Sequence, residues 1–419
     1  MGCASSSPSK YEDKGGAGGG GADNRHASSS KAKSDKGGGK KSGSGQPDFG
    51  LATTHEVIKL LGRGGEGETW LVKDKETGEE VAAKLIKRPI PKAALAVIKR
   101  EIKIQSDLGQ GHLNLVSADE VILSKTHLGL VMEYVPGGNM VQFVTKRRET
   151  KAERGGLCLD EDEARYYFLQ LLSAVEYCHK HHVAHRDLKL DNTLLTQHRP
   201  PWIKLCDFGF AKHWLQTSNM NTMRIGTPEY MGPELISSRT GYDGVKVDVW
   251  AAGVLLYVML VGVFPFETQD DNFSNTAGLY DIWLQQIKTS WREAPNNSSA
   301  ASRLSPELKD MLDRMFEVKQ DARIDVAGIR AHPWLLKPLP KPLASALKSL
   351  EVEQAKIDTL VAQGAYKNSD ADKMLEAMLE KAAAQAMPTE QVMRVPLSKV
   401  KRSAVIALPD AMGAIKEDA

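Results

Sequence analysis

The chain has little cysteine. Its four residues, Cys3, Cys158, Cys178 and Cys206, show no paired short spacing, so neither a zinc site nor a disulfide framework is indicated. It has no excess of either charge: 55 Lys and Arg stand against 53 Asp and Glu, a balance that gives no reason to expect nucleic acid as a partner. No apolar run approaches the roughly 18 residues expected of a membrane span. With no secretory signal either, a reducing, cytoplasmic setting is the expectation.

Large apolar side chains are scarce in residues 1–50, which are rich in Gly, Ser and Lys. Such a segment cannot bury enough surface to offset its ordering entropy and reads as a disordered arm. Its first residues, Met1-Gly2-Cys3-Ala4-Ser5-Ser6, fit the pattern for removal of Met1 and myristoylation of Gly2. One myristoyl chain anchors only marginally. Palmitoylation of Cys3, helped by Lys31, Lys33, Lys36, Lys40 and Lys41, supplies the second signal for a peripheral place on the cytoplasmic face of a membrane. The competing reading is a Gly/Ser start that matches a short pattern by chance.

The most informative stretch is His185-Arg186-Asp187-Leu188-Lys189-Leu190-Asp191-Asn192, with Asp207-Phe208-Gly209 shortly after. Phosphoryl transfer from ATP asks a protein for an in-line acceptor, hard oxygen ligands for metal and cations to hold the phosphates. Asp187 is suited to accept a hydroxyl proton and Lys189 to steady the γ-phosphate. Asn192 and Asp207 offer ligands for magnesium, or manganese in its place. A charged surface loop beside a strand is the bland alternative, and it weakens as the companion parts appear in order.

Upstream, Leu61, Gly62, Gly64 and Gly67 lie in a glycine loop that Trp70-Leu71-Val72 continues as a strand. Glycines there let backbone approach phosphates without a Cβ in the way. A dinucleotide fold requires such a loop to enter a helix, which excludes a metabolic nucleotide-binding enzyme. Lys84, in the apolar strand Val81–Ile86, needs partners, and the ATP phosphates and Glu101 on the following helical stretch are the natural ones. Leu128–Val135 reads as another strand. Met132 would back an adenine pocket, or simply pack in the core, with the backbone of Glu133 and Val135 on the adenine edge.

Downstream, Lys146–Gly156 is rich in charge and reads as an exposed loop. Asp160–His182 has helical periodicity, and Ile203–Cys206 is a short strand, with Cys206 a packed thiol. Phe210–Arg224 reads as a mobile activation segment with Ser218 and Thr222 as phosphate acceptors and Arg186 as their cationic partner. Thr227 is placed to bond Asp187 and Lys189, fitting a Ser/Thr acceptor. Glu234 is suited to a buried ion pair with the distant Arg323, and a very apolar helix from Asp248 to about Leu260 is expected as the central core element.

In uninterrupted order from His55 to Trp334, these motifs resemble the eukaryotic protein kinases. The resemblance implies an α+β, two-lobed fold with ATP in the cleft: a small lobe over 55–135, a large lobe over 136–335, and a helical tail over 336–419. Lys189 resembles the Ser/Thr class. The stretches Leu188–Leu195, Asp160–Arg165 and Leu256–Gly262 resemble the plant and algal sucrose-nonfermenting-related stress kinases of subclass two, within the calmodulin-kinase-like group. This implies stress or nutrient signalling, protein substrates with Ser/Thr acceptors, an upstream kinase and an opposing phosphatase. It also implies a tail helix packed on the one that carries Glu101.

The sequence departs from the family pattern at several positions. Thr69 stands where a Val usually covers the adenine. Met223 and Arg224 fill the positions that relatives phosphorylate, with Thr222 displaced by a residue, and three further changes stand out. Asn139 replaces an acidic residue, Gly232 replaces an Ala, and Gln105 is polar where relatives stack an apolar side chain. They motivate an alternative, a pseudokinase acting as a binding scaffold. The tail itself has Leu343, Leu347, Leu350, Ile357 and Val361 at helical spacing, then Met374, Leu375, Met378 and Leu379. Asp370 and Asp372 lack the Gly and Glu of a calcium loop.

Overall fold

The computed structural model describes residues 47–65, 67–108, 110–152, 157–213, 220, 226–237, 241–267, 276–293, 302–366, 368–384 and 391–400. The acylation motif at Gly2 and Cys3 and the segment residues Ser218 and Thr222 lie outside them.

Strands β1 (His55–Gly64), β2 (Gly67–Asp74) and β3 (Glu80–Lys87) are followed by helix α1 (Lys92–Leu108), then β4 (Ala118–Leu123) and β5 (His127–Glu133). Helices α2 (Met140–Ala152) and α3 (Glu161–Lys180) lead into the short strands β6 (Val183–Ala184), β7 (Thr193–Leu195), β8 (Ile203–Leu205) and β9 (Lys212–His213). Among the described residues the chain continues with helices α4 (Pro233–Ser237), α5 (Gly244–Val261), α6 (Thr276–Lys288), α7 (Pro306–Met315), α8 (Val326–Arg330) and α9 (Pro333–Leu336). The tail forms α10 (Lys341–Ala362), α11 (Ala371–Ala383) and strand β10 (Met393–Pro396). The result is the mixed α+β architecture expected, a sheet-rich amino-terminal part and a helical remainder.

The main sheet is antiparallel with strand order β1-β2-β3-β5-β4-β10. Helix α3 forms because Asp160 caps its first turn, accepting from the Glu163 amide, while His179 and Lys180 sit in the last turn, where the helix dipole favours positive charge. It packs against α5, which begins at Gly244 under an Asp243 cap, four residues earlier than its apolar run suggests, and stops at Gly262 with φ 81°. Helix α5 is 18 residues long and apolar enough to cross a membrane by length and composition. That departs from the expectation of no such run. Its side chains, Trp250 and Tyr257 among them, are instead buried in the core around it.

The charged run from Lys146 is helix rather than loop as far as Ala152, the end of α2. Asn139 Oδ1 accepts from the Gln142 amide at the start of that helix. Arg147 lies over the Phe143 ring and bonds Glu163 at 2.8 Å. Lys, Arg and Glu are good helix formers, so charge there marked a solvated face.

The tail embraces both parts of the domain. Helix α10 packs on α3 with Leu350 and Ile357 buried. Helix α11 packs on α1, setting Leu375, Met378 and Leu379 against Ile98 and Ile102. Burial of each such side chain contributes about 1.5–3 kcal/mol. The exposed Lys99–Glu376 pair across the same contact adds at most about 1 kcal/mol, so the apolar contact dominates. Val361 and Met374, expected on the packed faces, are exposed. Strand β10 was not legible in advance. It pairs with β4, and its Arg394 bonds Glu120 at 2.7 and 2.8 Å and Asp74 at 2.7 Å.

Candidate active site

The glycine loop joins β1 to β2. A Cβ on Gly67 would lie 2.3 Å from the Leu85 carbonyl oxygen, so the protein's own packing requires glycine there. A Cβ on Gly62 would meet nothing within 4 Å, and one on Gly64 only the Gly67 carbonyl at 3.8 Å. Internal packing does not account for those two glycines, whereas close approach of a ligand does. Leu61, just before them, is exposed.

Beneath the loop, β3 carries Lys84 and α1 carries Glu101. Lys84 Nζ donates to Glu101 Oε1 and Oε2 at 2.8 and 2.9 Å. Met132 is half-buried at the end of β5, and Val135 is buried just beyond it. The Glu133 amide donates to the Ser117 carbonyl at 3.0 Å. Its side chain, unassigned in the sequence reading, pairs with the buried Lys204 at 2.7 Å.

The stretch around Asp187 is held from below by Asp248 of α5. Its carboxylate accepts the His185 amide at 2.9 Å, the Arg186 amide at 2.7 Å and a hydrogen bond at 2.7 Å involving His179 Nε2. Burial alone would raise this carboxyl, but the His179 hydrogen bond and charge, with His185 and the Arg186 amide, hold it below its ordinary value. These bonds offset local strain. Arg186 and Asp207 both have φ 64°, a conformation costing about 1–3 kcal/mol for a non-glycine residue.

In that frame the polar side chains converge. Lys189 Nζ lies 2.9 Å from Asp187 Oδ2 and donates to Thr227 Oγ1 at 3.0 Å, and Thr227 in turn donates to Asp187 Oδ1 at 3.4 Å. Asn192 Nδ2 donates to the Asp187 carbonyl and carboxylate at 2.9 and 3.0 Å. Its donor face is thus turned to Asp187, leaving Oδ1 as the ligating atom of the amide. Asp207 is exposed, with Oδ1 accepting the Gly209 amide at 3.2 Å, while Phe208 is buried against the His185 ring at 4.9 Å. Two oxygens of the kind hard divalent cations prefer, Asn192 Oδ1 and the Asp207 carboxylate, therefore suit magnesium or manganese. Burial, with Asp207 next door, pushes the half-buried Cys206 thiol up to about 12, so it stays protonated and packs.

Arg323 donates to Glu234 Oε1 and Oε2 at 2.6 and 2.9 Å, with both side chains buried. Gly232, Asn139 and Gln105 fall outside the polar cluster. A methyl on Gly232 would lie 2.8 Å from the Glu234 carboxylate, so the missing methyl leaves that ion pair room. Asn139 caps α2, and Gln105 is buried on α1 with no hydrogen-bond partner for Oε1.

Residues 55–335 match the protein kinase domain family. Over 291 residues the chain is 40% identical to the serine/threonine-protein kinase SRK2B of Arabidopsis thaliana, covering 69% of this chain and 73% of that protein. SRK2H of the same plant is 42% identical over 69% of this chain and 74% of its own length. The serine/threonine-protein kinase SAPK7 of Oryza sativa subsp. japonica is 40% identical over 71% and 76%.

Proposed function

The chain belongs to the protein kinase family as a serine/threonine kinase, and from that premise we propose that it moves the γ-phosphate of ATP, with magnesium or manganese, onto Ser and Thr hydroxyls of proteins. The observation that carries this reading is the convergence of Asp187, Lys189, Asn192 and Thr227, together with the formed Lys84–Glu101 pair. Asp187 Oδ orients the acceptor hydroxyl and takes its proton. Lys189 offsets charge on the transferred group, and Lys84, itself fixed by Glu101, holds the phosphates. Asn192 and Asp207 would hold the metal, which would supply positive charge to offset that of the phosphates. Leu61, Gly62, Gly64 and Gly67 cover the phosphates. Met132 and the backbone of Glu133 and Val135 receive the adenine.

Transfer of radiolabelled phosphate to a generic protein substrate tests this, with Asp187→Ala as control. Wild-type transfer lost by at least about 10²-fold in the variant is expected. Equal incorporation by both would overturn the assignment.

Membrane tethering through acylated Gly2 and Cys3 belongs to the same proposal and is supported by the Met1–Ser6 motif alone. Gly2→Ala should move the protein from the membrane to the supernatant fraction. Regulation by an upstream kinase and a phosphatase, within stress or nutrient signalling, is supported by the resemblance to kinases of subclass two, whereas Ser218 and Thr222 as the acceptors are supported only by their place in the polar segment before Gly226.

A further inference from the structure

The tail helix α10 does more than pack. Its Gln354 reaches the connection between α1 and β4 and satisfies both ends of one short segment. Oε1 accepts the Leu113 amide at 2.8 Å, and Nε2 donates to the Gly111 carbonyl at 2.9 Å. Gly111 and Leu113 are buried. The carbonyl of Leu113 faces the other way and accepts Lys204 Nζ at 2.9 Å. Lys204, 5% exposed on β8, also grips the Glu133 carboxylate at 2.7 Å. One residue, Leu113, therefore has the tail on its N–H and the adenine-edge strand, through a buried ammonium, on its carbonyl.

We propose that Gln354 is a positioning residue for nucleotide binding, acting through Leu113 and Lys204 on Glu133. The inference rests on the assignment of adenine to the Glu133–Val135 edge. Its physical basis is the cost of leaving buried backbone groups unpaired. Without the Gln354 amide, the Leu113 N–H and the Gly111 carbonyl must shift toward water to find partners. The Leu113 carbonyl moves with them, and Lys204 loses one of the acceptors that fix its ammonium. A desolvated lysine keeps its place only by its partners, so Glu133 and the backbone beside it are no longer held in the geometry that receives the base. The neighbouring segment has little freedom to compensate. Asn114 Nδ2 is bonded to Gln170 and to the Ile203 carbonyl at 3.2 and 2.9 Å, and the Asn114 carbonyl accepts the Leu205 amide at 2.7 Å.

The test uses the full chain and compares Gln354→Ala with wild type. Gln354 is half-exposed on a long helix, so alanine is tolerated locally. Expected is a rise of about 3- to 10-fold in KM for ATP with kcat and the KM for peptide unchanged. In a Lys204→Met background the same substitution should add no further change, because the link it acts through is gone. Should Lys204→Met fail to fold, Glu133→Gln replaces it as the background. Glu376→Ala, which removes an exposed pair on α11, serves as the control that leaves KM for ATP unaltered. An ATP KM within twofold of wild type in Gln354→Ala would overturn the proposal, as would a full effect persisting in the background used. Direct titration of a fluorescent ATP analogue reads the same ratio without transfer, so an inactive preparation still decides the relay separately from the catalytic assignment.

Discussion

Arg186 Nη1 donates to the Tyr242 hydroxyl at 2.7 Å, while Nε and Nη2 share the Phe210 carbonyl at 2.9 and 2.5 Å. The guanidinium that the sequence suggested for a phosphate on the activation segment already has acceptors within the domain. Burial lowers its proton affinity, and the Tyr242 contact offsets that. Tyr242→Phe removes one acceptor from a buried charged group and should cost about 1–3 kcal/mol of stability. A urea midpoint unchanged from wild type would contradict it.

Glu101 has a second task besides placing Lys84: its own carboxylate is buried, with a side chain only 3% exposed. Glu101→Gln keeps the shape but removes the carboxylate charge and one of the two acceptor oxygens, and Lys84 then loses its fixed position beside the phosphates. We expect kcat/KM for ATP to fall by about 10- to 100-fold with the thermal midpoint nearly preserved. Steady-state kinetics alongside a melting curve separates this from unfolding.

Strand β10 is held by charge. Asp74 is 1% and Glu120 4% exposed, and Arg394 is the cation between them. Removing it by Arg394→Ala strands two carboxylates and should cost about 2 kcal/mol, below the roughly 3–5 kcal/mol of a fully buried pair because the guanidinium side chain is partly exposed. Burial would raise the Asp74 carboxyl, but the Arg394 hydrogen bond, with the Glu76 and Thr77 amides, keeps it below 3.8. A folded value below the unfolded one stabilises the protein above about pH 4 and is lost as pH falls through the folded value. Denaturant titrations from pH 6 to pH 3 should therefore show a steeper loss for wild type than for Asp74→Asn.

Gln105 offers a gain. Its buried Oε1 lacks a hydrogen-bond partner, and an unpaired buried amide costs about 1–3 kcal/mol. Gln105→Leu, of similar volume, should raise the thermal midpoint while transfer activity is retained. A lower midpoint would mean that the amide is needed where it stands.

Elements with strong local signals were legible from the sequence. Asp160 and the apolar spacing after it mark α3, and the alternating apolar residues around the glycines mark β1 to β3. Where the local signal was weak or shared, reading failed. Lys146–Ala152 carries charge that suits a loop or a solvated helix face equally, and Asn139 with the Phe143 contacts chose the helix. Met393–Pro396 is too short for a period, ends in a proline tolerated only at a sheet edge, and pairs because of Arg394. Gln354 and Lys204 gave no signal, since each matters through a partner more than 70 positions away.

The chain by itself determined the chemistry: which side chains could take a proton, bind metal or hold phosphate, because motif spacing on short loops brings Asp187, Lys189 and Asn192 together locally. Tertiary structure alone decided what holds that chemistry in place. Asp248 beneath the strained loop, Lys204 behind the adenine edge, and the tail on α1 and β4 are chosen by buried charges that must find partners and apolar faces that must leave water, and neither requirement names its partner in one dimension.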